Sequence, residues 1–431
     1  MRNILVLAYA ISPIRGSEYS VAWNYVRHMS MNNKLTVLFG MAGDHMGDFA
    51  EMEGCIKEPP FENVTFVPVP PNRLANKLNW FNRHGVLVYT FYWAYQVWHK
   101  QAYKRAKELA LNERFDLVHY LCPIGYREPG YLWKLGLPYM WGPICGAKNI
   151  RWVFFNNLSL TARLRYGFHN IANSIQLYTN RRIRRAIIHS DLLLAATIEN
   201  RDIFNCVYGI NCGYLTENGI IVPAKLNEKK FDIVRERINL IFVGRLDYGK
   251  NLTMLLQALG GITRKEIIHL DVVGDGPLRN LLERQTIEND LDDIVTFHGK
   301  LSRNETVKMF DNAHLHVITS IGEANTTVFF EAMSYGVPTL SLDHSGMHDT
   351  IKDMTGYKIQ VTNNYVGMVN AITRTINHII NNPDELKSKA MSVVEDSKHY
   401  QWSERVKFFE KCYEDCIFKH EKKDNILTVG V

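Results

Sequence analysis

Apolar residues in the first half of the chain come in short runs, at 3–8, 35–39, 64–69, 116–121, 138–141, 191–196 and 219–222, with longer stretches of mixed character between them. Runs this short, continuous rather than alternating, predict strands buried on both faces. Their separation by helix-length segments predicts a parallel sheet covered by helices. The second half repeats the rhythm with LIFVG (240–244), IIHLDVVG (267–274), IVTFHG (294–299), LHVITS (315–320) and PTLSL (338–342). A second doubly wound domain is the expectation. Between the two, residues 223–239 are polar, charged and without strand character, which predicts a linker. After Asn364 the pattern turns helical, and Trp402, Val406, Phe409, Cys412, Tyr413 and Cys416 fall on one face of a final helix. The residues from about His420 onward read as a loosely attached tail.

Length and charge sharpen this picture. The chain has 431 residues, more than one hydrophobic core usually serves, so two lobes with a cleft between them are expected. Residues 1–222 hold 24 Lys and Arg against 15 Asp and Glu, and the remainder holds 26 against 29. Neither Asn72–Lys107 nor Gly130–Ser190 contains an acidic residue, while the first has seven basic residues and the second nine. That asymmetry calls for an anionic partner of the first half. The seven cysteines (55, 122, 145, 206, 212, 412, 416) lack a CxxC pair, which fits neither a disulfide framework nor a zinc site and favours a reducing cytoplasm. Cys412 and Cys416, one helical turn apart, read as helix packing. The start, MRNILVLAYAISP, reads as a first strand rather than an export signal.

Candidate chemistry gathers at strand ends in the second half. Phe242 to Asn251 (FVGRLDYGKN) ends a strand, turns through Gly244 and opens a helix after Lys250. Arg245 and Lys250 add fixed positive charge to a helix N-terminus whose free N–H groups already favour anions, a combination suited to a diphosphate. A surface turn with incidental charges is the plainer alternative. Gly274 and Gly276, in VVGDGPLR (272–279), let a backbone approach a ligand closely, although a βα turn needs glycine for geometry alone. Glu323 ends a strand and Glu331 lies eight residues on, so both carboxylates can line one wall of a strand-end crevice and accept hydrogen bonds from vicinal diols. Solvated helix glutamates are the alternative.

Taken in order, these segments resemble the retaining glycosyltransferases of family 4. The likeness is dense in the second domain and loose over most of the chain. It implies an α/β GT-B fold, with two Rossmann-like doubly wound domains facing a central cleft. The corresponding division is 1–222 for the acceptor, a linker at 223–236, 237–395 for the nucleotide sugar, and 396–431 as a C-terminal helix returning to the first domain, with a tail. By the same resemblance Arg245 and Lys250 hold the donor diphosphate, Glu323 meets the transferred sugar and Glu331 the ribose. The loops carrying Gly244, Gly274 and Gly276 border the nucleotide. Asn325, Thr326 and Thr327 stand where the family is usually glycine-rich. In the first half, AYAISP…RGSE (8–18), Trp23-Asn24, Val118-His119-Tyr120 and WGPICG (141–146) resemble one branch of the family, the branch of bacterial cell-surface polysaccharide synthesis. Gly16 and Ser17 would then face the donor phosphates across the cleft. His119 is a catalytic candidate, because the histidine many members carry after the strand ending Met140-Trp141-Gly142-Pro143 is missing; a buried, satisfied histidine is the equal alternative.

The implied activity is retaining transfer of a sugar from a UDP- or GDP-sugar to a lipid-linked or oligosaccharide acceptor in O-antigen, capsule or exopolysaccharide synthesis. No cofactor and no metal are expected, the two cations taking a metal's place. A sugar-nucleotide epimerase or hydrolase, or a silent glycan-binding subunit, are the rival classes. The aromatic, basic stretch from Trp80 to Trp98 is too short to span a bilayer but suits its surface, and Arg181, Arg182, Arg184 and Arg185 form a second basic cluster. The expected location is the inner face of the cytoplasmic membrane, on anionic lipid. Nucleic acid is a poor third candidate as partner, because neither half carries a recognition motif.

Overall fold

The computed structural model of the protein describes residues 1–84 and 90–429, without the side chains of 424–429. Two compact units divide the chain. Unit 1 comprises 1–148, 173–217 and 402–431, and unit 2 comprises 149–172 and 218–401.

Unit 1 is built on seven parallel strands: β1 (Arg2–Ala8), β2 (Asn33–Phe39), β3 (Val64–Pro68), β4 (Leu117–Cys122), β5 (Tyr139–Ile144), β6 (Leu192–Ala195) and β7 (Gly213–Tyr214). Their order across the sheet is β3-β2-β1-β4-β5-β6-β7. The continuous apolar runs have a direct cause: Ile4 and Val6 of β1 pack into one core layer while Leu5 and Leu7 pack into the layer on the other face. The last strand lies before the expected 219–222. Ile220 makes only an isolated bridge to Gln401 and buries its side chain with Phe329 and Phe330 of unit 2, so that apolar run serves helix packing and not this sheet. The final helix, Trp402–Val429, lays Phe409, Cys412, Tyr413 and Cys416 into unit 1 against the helix Glu18–Met29. All seven cysteines are free thiols, and Cys412 and Cys416 are buried in this packing.

Unit 2 has six parallel strands: β8 (Ile238–Val243), β9 (Ile268–Val273), β10 (Val295–Gly299), β11 (Leu315–Ile318), β12 (Thr339–Asp343) and β13 (Gly356–Gln360). Their order is β10-β9-β8-β11-β12-β13. The edge strand β13 was not foreseen, since an edge position tolerates the half-polar GYKIQ that no continuous apolar run would flag. The expected linker is also corrected. Residues 218–237 belong to unit 2, where Phe231 and Val234 are core side chains and Lys225 N–H donates to Ser334 O at 2.9 Å. Two anchoring side chains in a polar segment are enough to fix it, which a composition average hides. Residues 149–172, assigned by chain proximity to the first domain, place Val153 and Phe154 in the core of unit 2.

The direction of strand progression reverses between β1 and β4 in unit 1 and between β8 and β11 in unit 2. Such reversals leave a crevice outside the carboxyl ends of the two strands, because the loops leaving them depart to opposite sides.

Candidate functional site

Lys250 follows β8 and Glu323 follows β11, so the two strands that flank the reversal in unit 2 carry them to the same place. The Lys250 ammonium meets a carboxylate oxygen of Glu323 in a half-buried ion pair. The frame around the pair is hydrogen-bonded backbone. Thr319 Oγ1 donates to the carbonyls of Lys250 at 3.1 Å and Asn251 at 2.9 Å, and Ile321 N–H donates to Gly249 O at 2.9 Å. The Lys250 stem lies over Gly244, where a Cβ would come within 3.4 Å of its methylenes. Asn251, in the left-handed conformation at φ 52°, stands at the N-terminus of the helix Leu252–Gly260, and Thr326 at that of the helix Thr327–Ser334, neither side chain bonding the first N–H groups of its helix. A small crevice between these elements is lined by Lys250, Ser320, Thr326 and Val328, with His316 beneath. Two helix N-termini and an ammonium around one crevice make it a place for negative charge.

The remaining expected residues divide by location. Arg245 is exposed, its guanidinium 3.7 Å from Asp247. Glu331 is paired with Arg303, Nε to carboxylate 3.0 Å; burial pushes its carboxyl above the ordinary range and Arg303 pulls it partly back. Arg303 was missed, although its signal was present: Ser302 and Glu305 form a capping box that sets Arg303 at the first turn of its helix. Gly274 and Gly276 answer a structural need. A Cβ on Gly274 would lie 1.9 Å from Gly244 O, and one on Gly276 2.4 Å from Leu246 O, so these glycines let the β9 loop pack against the loop that carries Arg245 and Lys250. Asn325 is buried, and its carbonyl accepts from Asn218 Nδ2 at 2.7 Å, while Thr326 and Thr327 are half-buried at the helix start. The loop is held from the other side by Gly346, where a Cβ would strike Ala324 O, another role that sequence reading missed. An Asp-x-Asp triplet, Asp290-Leu291-Asp292, precedes β10 at the amino end of the sheet, away from Lys250 and Glu323.

In unit 1, Gly16 and Ser17 lie after β1 at that sheet's own reversal. Ser17 has φ 56°, unusual for a residue with a side chain, at the start of the helix Glu18–Met29. Glu18 accepts from Ile124 N–H at 3.3 Å, tying the β1 loop to the β4 loop, and burial raises its carboxyl. His119 is corrected to a core histidine. It is fully buried among Tyr25, Phe409 and Tyr413, with Nε2 2.8 Å from Gly142 O and Nδ1 3.0 Å from the Tyr413 hydroxyl. Both ring nitrogens are satisfied inside unit 1, which leaves nothing to offer a substrate. The aromatic stretch is likewise split: Trp98 is buried, Trp80, Tyr92 and Trp93 are exposed, and 85–89 lie outside the described residues. Arg182 of the basic cluster is committed to Glu128.

The buried histidines carry a pH prediction. Burial lowers His119 and His314 to about 4 and His316 to about 3, from an ordinary 6.5. The folded state therefore binds fewer protons than the unfolded chain below about pH 6.5, and stability falls as pH drops toward the folded values. One such histidine costs about 2 kcal/mol between pH 6.5 and about pH 5. Glu18, Glu128 and Glu331, raised by burial, act in the opposite sense. Urea titrations at several pH values should therefore compare slopes: His119→Gln should flatten the acid fall, and an unchanged slope would mean that His119 is not buried neutral.

A lipopolysaccharide outer core galactosyltransferase, WaaB, superposes with a TM-score of 0.64 at 18% identity, covering 96% of this chain and 99% of that one. Anabaena HepE in complex with UDP and glucose superposes at 0.58 and 13% identity over the full length of both chains. The fold is GT-B. In sequence, residues 224–400 match the family of glycosyl transferases group 1. The alpha-monoglucosyldiacylglycerol synthase of Streptococcus pneumoniae is 27% identical over 26% of this chain and 26% of its own length. An alpha-1,4-N-acetyl-D-galactosaminyltransferase of Campylobacter jejuni, whose name gives a PP-undecaprenol-linked acceptor, is 33% identical over 30% of this chain and 35% of its own. The chain thus spans about a quarter to a third of the length of these two relatives. The group 1 match takes in Lys250, Glu323, Glu331 and the loops that hold them.

Proposed function

We propose that the protein transfers a sugar from a nucleoside diphosphate sugar, with retention of configuration, to a lipid-linked or oligosaccharide acceptor in cell-surface glycan synthesis. The observation that carries this reading is the meeting of Lys250 and Glu323 at the strand reversal of unit 2. When donor binds, the diphosphate takes over the Lys250 ammonium, and the released Glu323 carboxylate accepts hydrogen bonds from the sugar hydroxyls. The two helix N-termini and Arg245 add positive potential toward the leaving phosphate. Catalysis is then positioning plus stabilisation of the departing diphosphate, which can itself take the acceptor's proton. UDP and GDP are the expected bases, with UDP favoured by the HepE complex of like fold. Related names that include a monoglucosyldiacylglycerol and a PP-undecaprenol-linked glycan support an acceptor at a membrane, and the inner face of the cytoplasmic membrane is the expected place. Among the described residues no helix is long and apolar enough to cross a bilayer.

Glu331 is assigned to the ribose, with Arg303 holding the carboxylate in place. Glu331→Gln should weaken binding of free nucleoside diphosphate by roughly 1.5–3 kcal/mol, since the amide keeps the shape but loses the charged acceptor. Calorimetric titration of UDP and GDP into the two proteins checks this; equal affinities would remove the ribose assignment. Incubating the protein with a panel of sugar nucleotides tests the class of reaction. Donor consumed only when acceptor is present supports transfer, rearrangement or hydrolysis without acceptor supports the epimerase or hydrolase reading, and no binding at all supports a silent subunit.

A further inference from the structure

His316 is a buried histidine that is only half paired. It stands in the middle of β11, in register with Ile241 of β8 on one side and Thr339 of β12 on the other, and is 1% exposed. His119 spends both ring nitrogens on partners inside unit 1, and His314 does the same in unit 2, with Nδ1 accepting from Asn239 N–H at 2.8 Å and Nε2 at 2.7 Å from Lys230 O. In His316, Nδ1 lies 3.3 Å from Thr339 Oγ1, while Nε2 has no hydrogen-bond partner among the described residues. A shielded polar atom without a partner is destabilising, so an apolar side chain would serve this mid-sheet position better unless the nitrogen has a use. The ring lines the crevice that Lys250, Ser320 and Thr326 also line. Thr339 stands outside that crevice, which leaves Nε2 as the nitrogen on its side.

The Thr339 hydroxyl fixes which nitrogen carries the proton. Thr339 is buried, and among the described residues its hydroxyl bonds the imidazole alone. An O–H that donates to Nδ1 is satisfied, whereas an Nδ1–H donating to Oγ1 would strand the hydroxyl proton. Nε2 therefore carries the ring proton and is a donor. Burial, with the Lys250 charge adding to it, keeps the ring from taking a second proton. We propose that His316 is a binding residue for the donor diphosphate, its Nε2–H donating to a non-bridging phosphate oxygen that seats in the crevice. The crevice has room for about one water molecule, which is also the size of such an oxygen. In the unliganded protein Nε2 is shielded from solvent, and Lys250 forms part of the crevice wall while Glu323 holds its ammonium. A diphosphate that draws the ammonium away opens that wall. The inference rests on the reading of unit 2 as the nucleotide-sugar domain, and adds to the charge of Lys250 a neutral donor that holds one oxygen in a fixed place.

The test titrates UDP, GDP and inorganic pyrophosphate into the full chain and into His316 variants by calorimetry. His316→Gln carries its amide nitrogen about as far from the backbone as Nε2 and should keep the affinity within about threefold. His316→Asn reaches only as far as Nδ1, and His316→Phe has no donor, so both should lose about tenfold to a hundredfold for the nucleotide and for pyrophosphate alike. Because Gln and Asn bring the same amide to the same buried position, the difference between them reads reach and not the cost of burying a polar group. Nitrogen NMR of histidine-labelled protein gives a second readout, with the His316 signals identified by their loss in His316→Gln. Nε2 should be the protonated nitrogen and should shift on addition of UDP, while Nδ1 holds its place. Equal affinity of the wild type and His316→Phe, or an Nε2 signal unmoved by saturating UDP, would overturn the inference and leave the transferase reading standing. A wild type that binds neither nucleotide nor pyrophosphate overturns both. Binding that depends on His316 in a protein that consumes no sugar nucleotide counts against the transferase alone.

Discussion

Lys250→Ala is expected to lower the turnover of sugar transfer by about 10²–10³-fold, the loss that follows when one preorganised charge facing a developing negative charge is removed, roughly 2.7–4 kcal/mol. The leaving diphosphate gains charge as the glycosidic bond breaks, so the ammonium matters more to the transition state than to the bound donor. The fall in kcat should therefore exceed the rise in donor KM. In the unliganded protein the ammonium pairs with Glu323, and both are half-buried, so the stability change should stay within about 1 kcal/mol. Lys308 is the control: it lies in the last turn of the helix Arg303–Met309, away from the crevice residues. Kinetics of both alanine variants at saturating acceptor decide the matter. If Lys250→Ala turns over like Lys308→Ala, the diphosphate site is elsewhere.

The second large effect should come from a residue that touches no ligand. Gly274→Ala would put a methyl group 1.9 Å from Gly244 O, at a φ of 132° that a side chain rarely adopts, with backbone on both sides of the clash. Neither partner can yield without moving the β8 loop, so a loss of roughly 3–5 kcal/mol is expected, with donor affinity falling too because that loop holds Lys250. Gly16→Ala offers the contrast: nothing lies within 4 Å of the added carbon, and stability should change by less than about 0.5 kcal/mol. Chemical denaturation of the two variants tests this pair, and a mild effect at Gly274 would mean that the two loops are not packed as described.

Much of the fold was legible because buried parallel strands leave a local mark. Eleven of the thirteen strands among the described residues were anticipated as apolar runs; β7, a two-residue Gly213–Tyr214 pairing with no apolar run of its own, was misplaced to 219–222, and β13 escaped because an edge strand need not be apolar throughout. The candidate site was legible in part. The glycine turn before Lys250 and the Glu323 and Glu331 spacing are local patterns, visible without coordinates.

What the sequence by itself determined was the set of elements and the residues standing at their ends: short apolar runs make strands, and glycines with charged neighbours mark the turns that follow. Only the tertiary structure decided which of those ends meet. Lys250 and Glu323 are brought together by the adjacency of β8 and β11, strands far apart in the chain, and sheet order leaves no local trace. The same holds for Glu331 with Arg303, for His119 with Tyr25 and Tyr413, and for residues 149–172 in the core of unit 2.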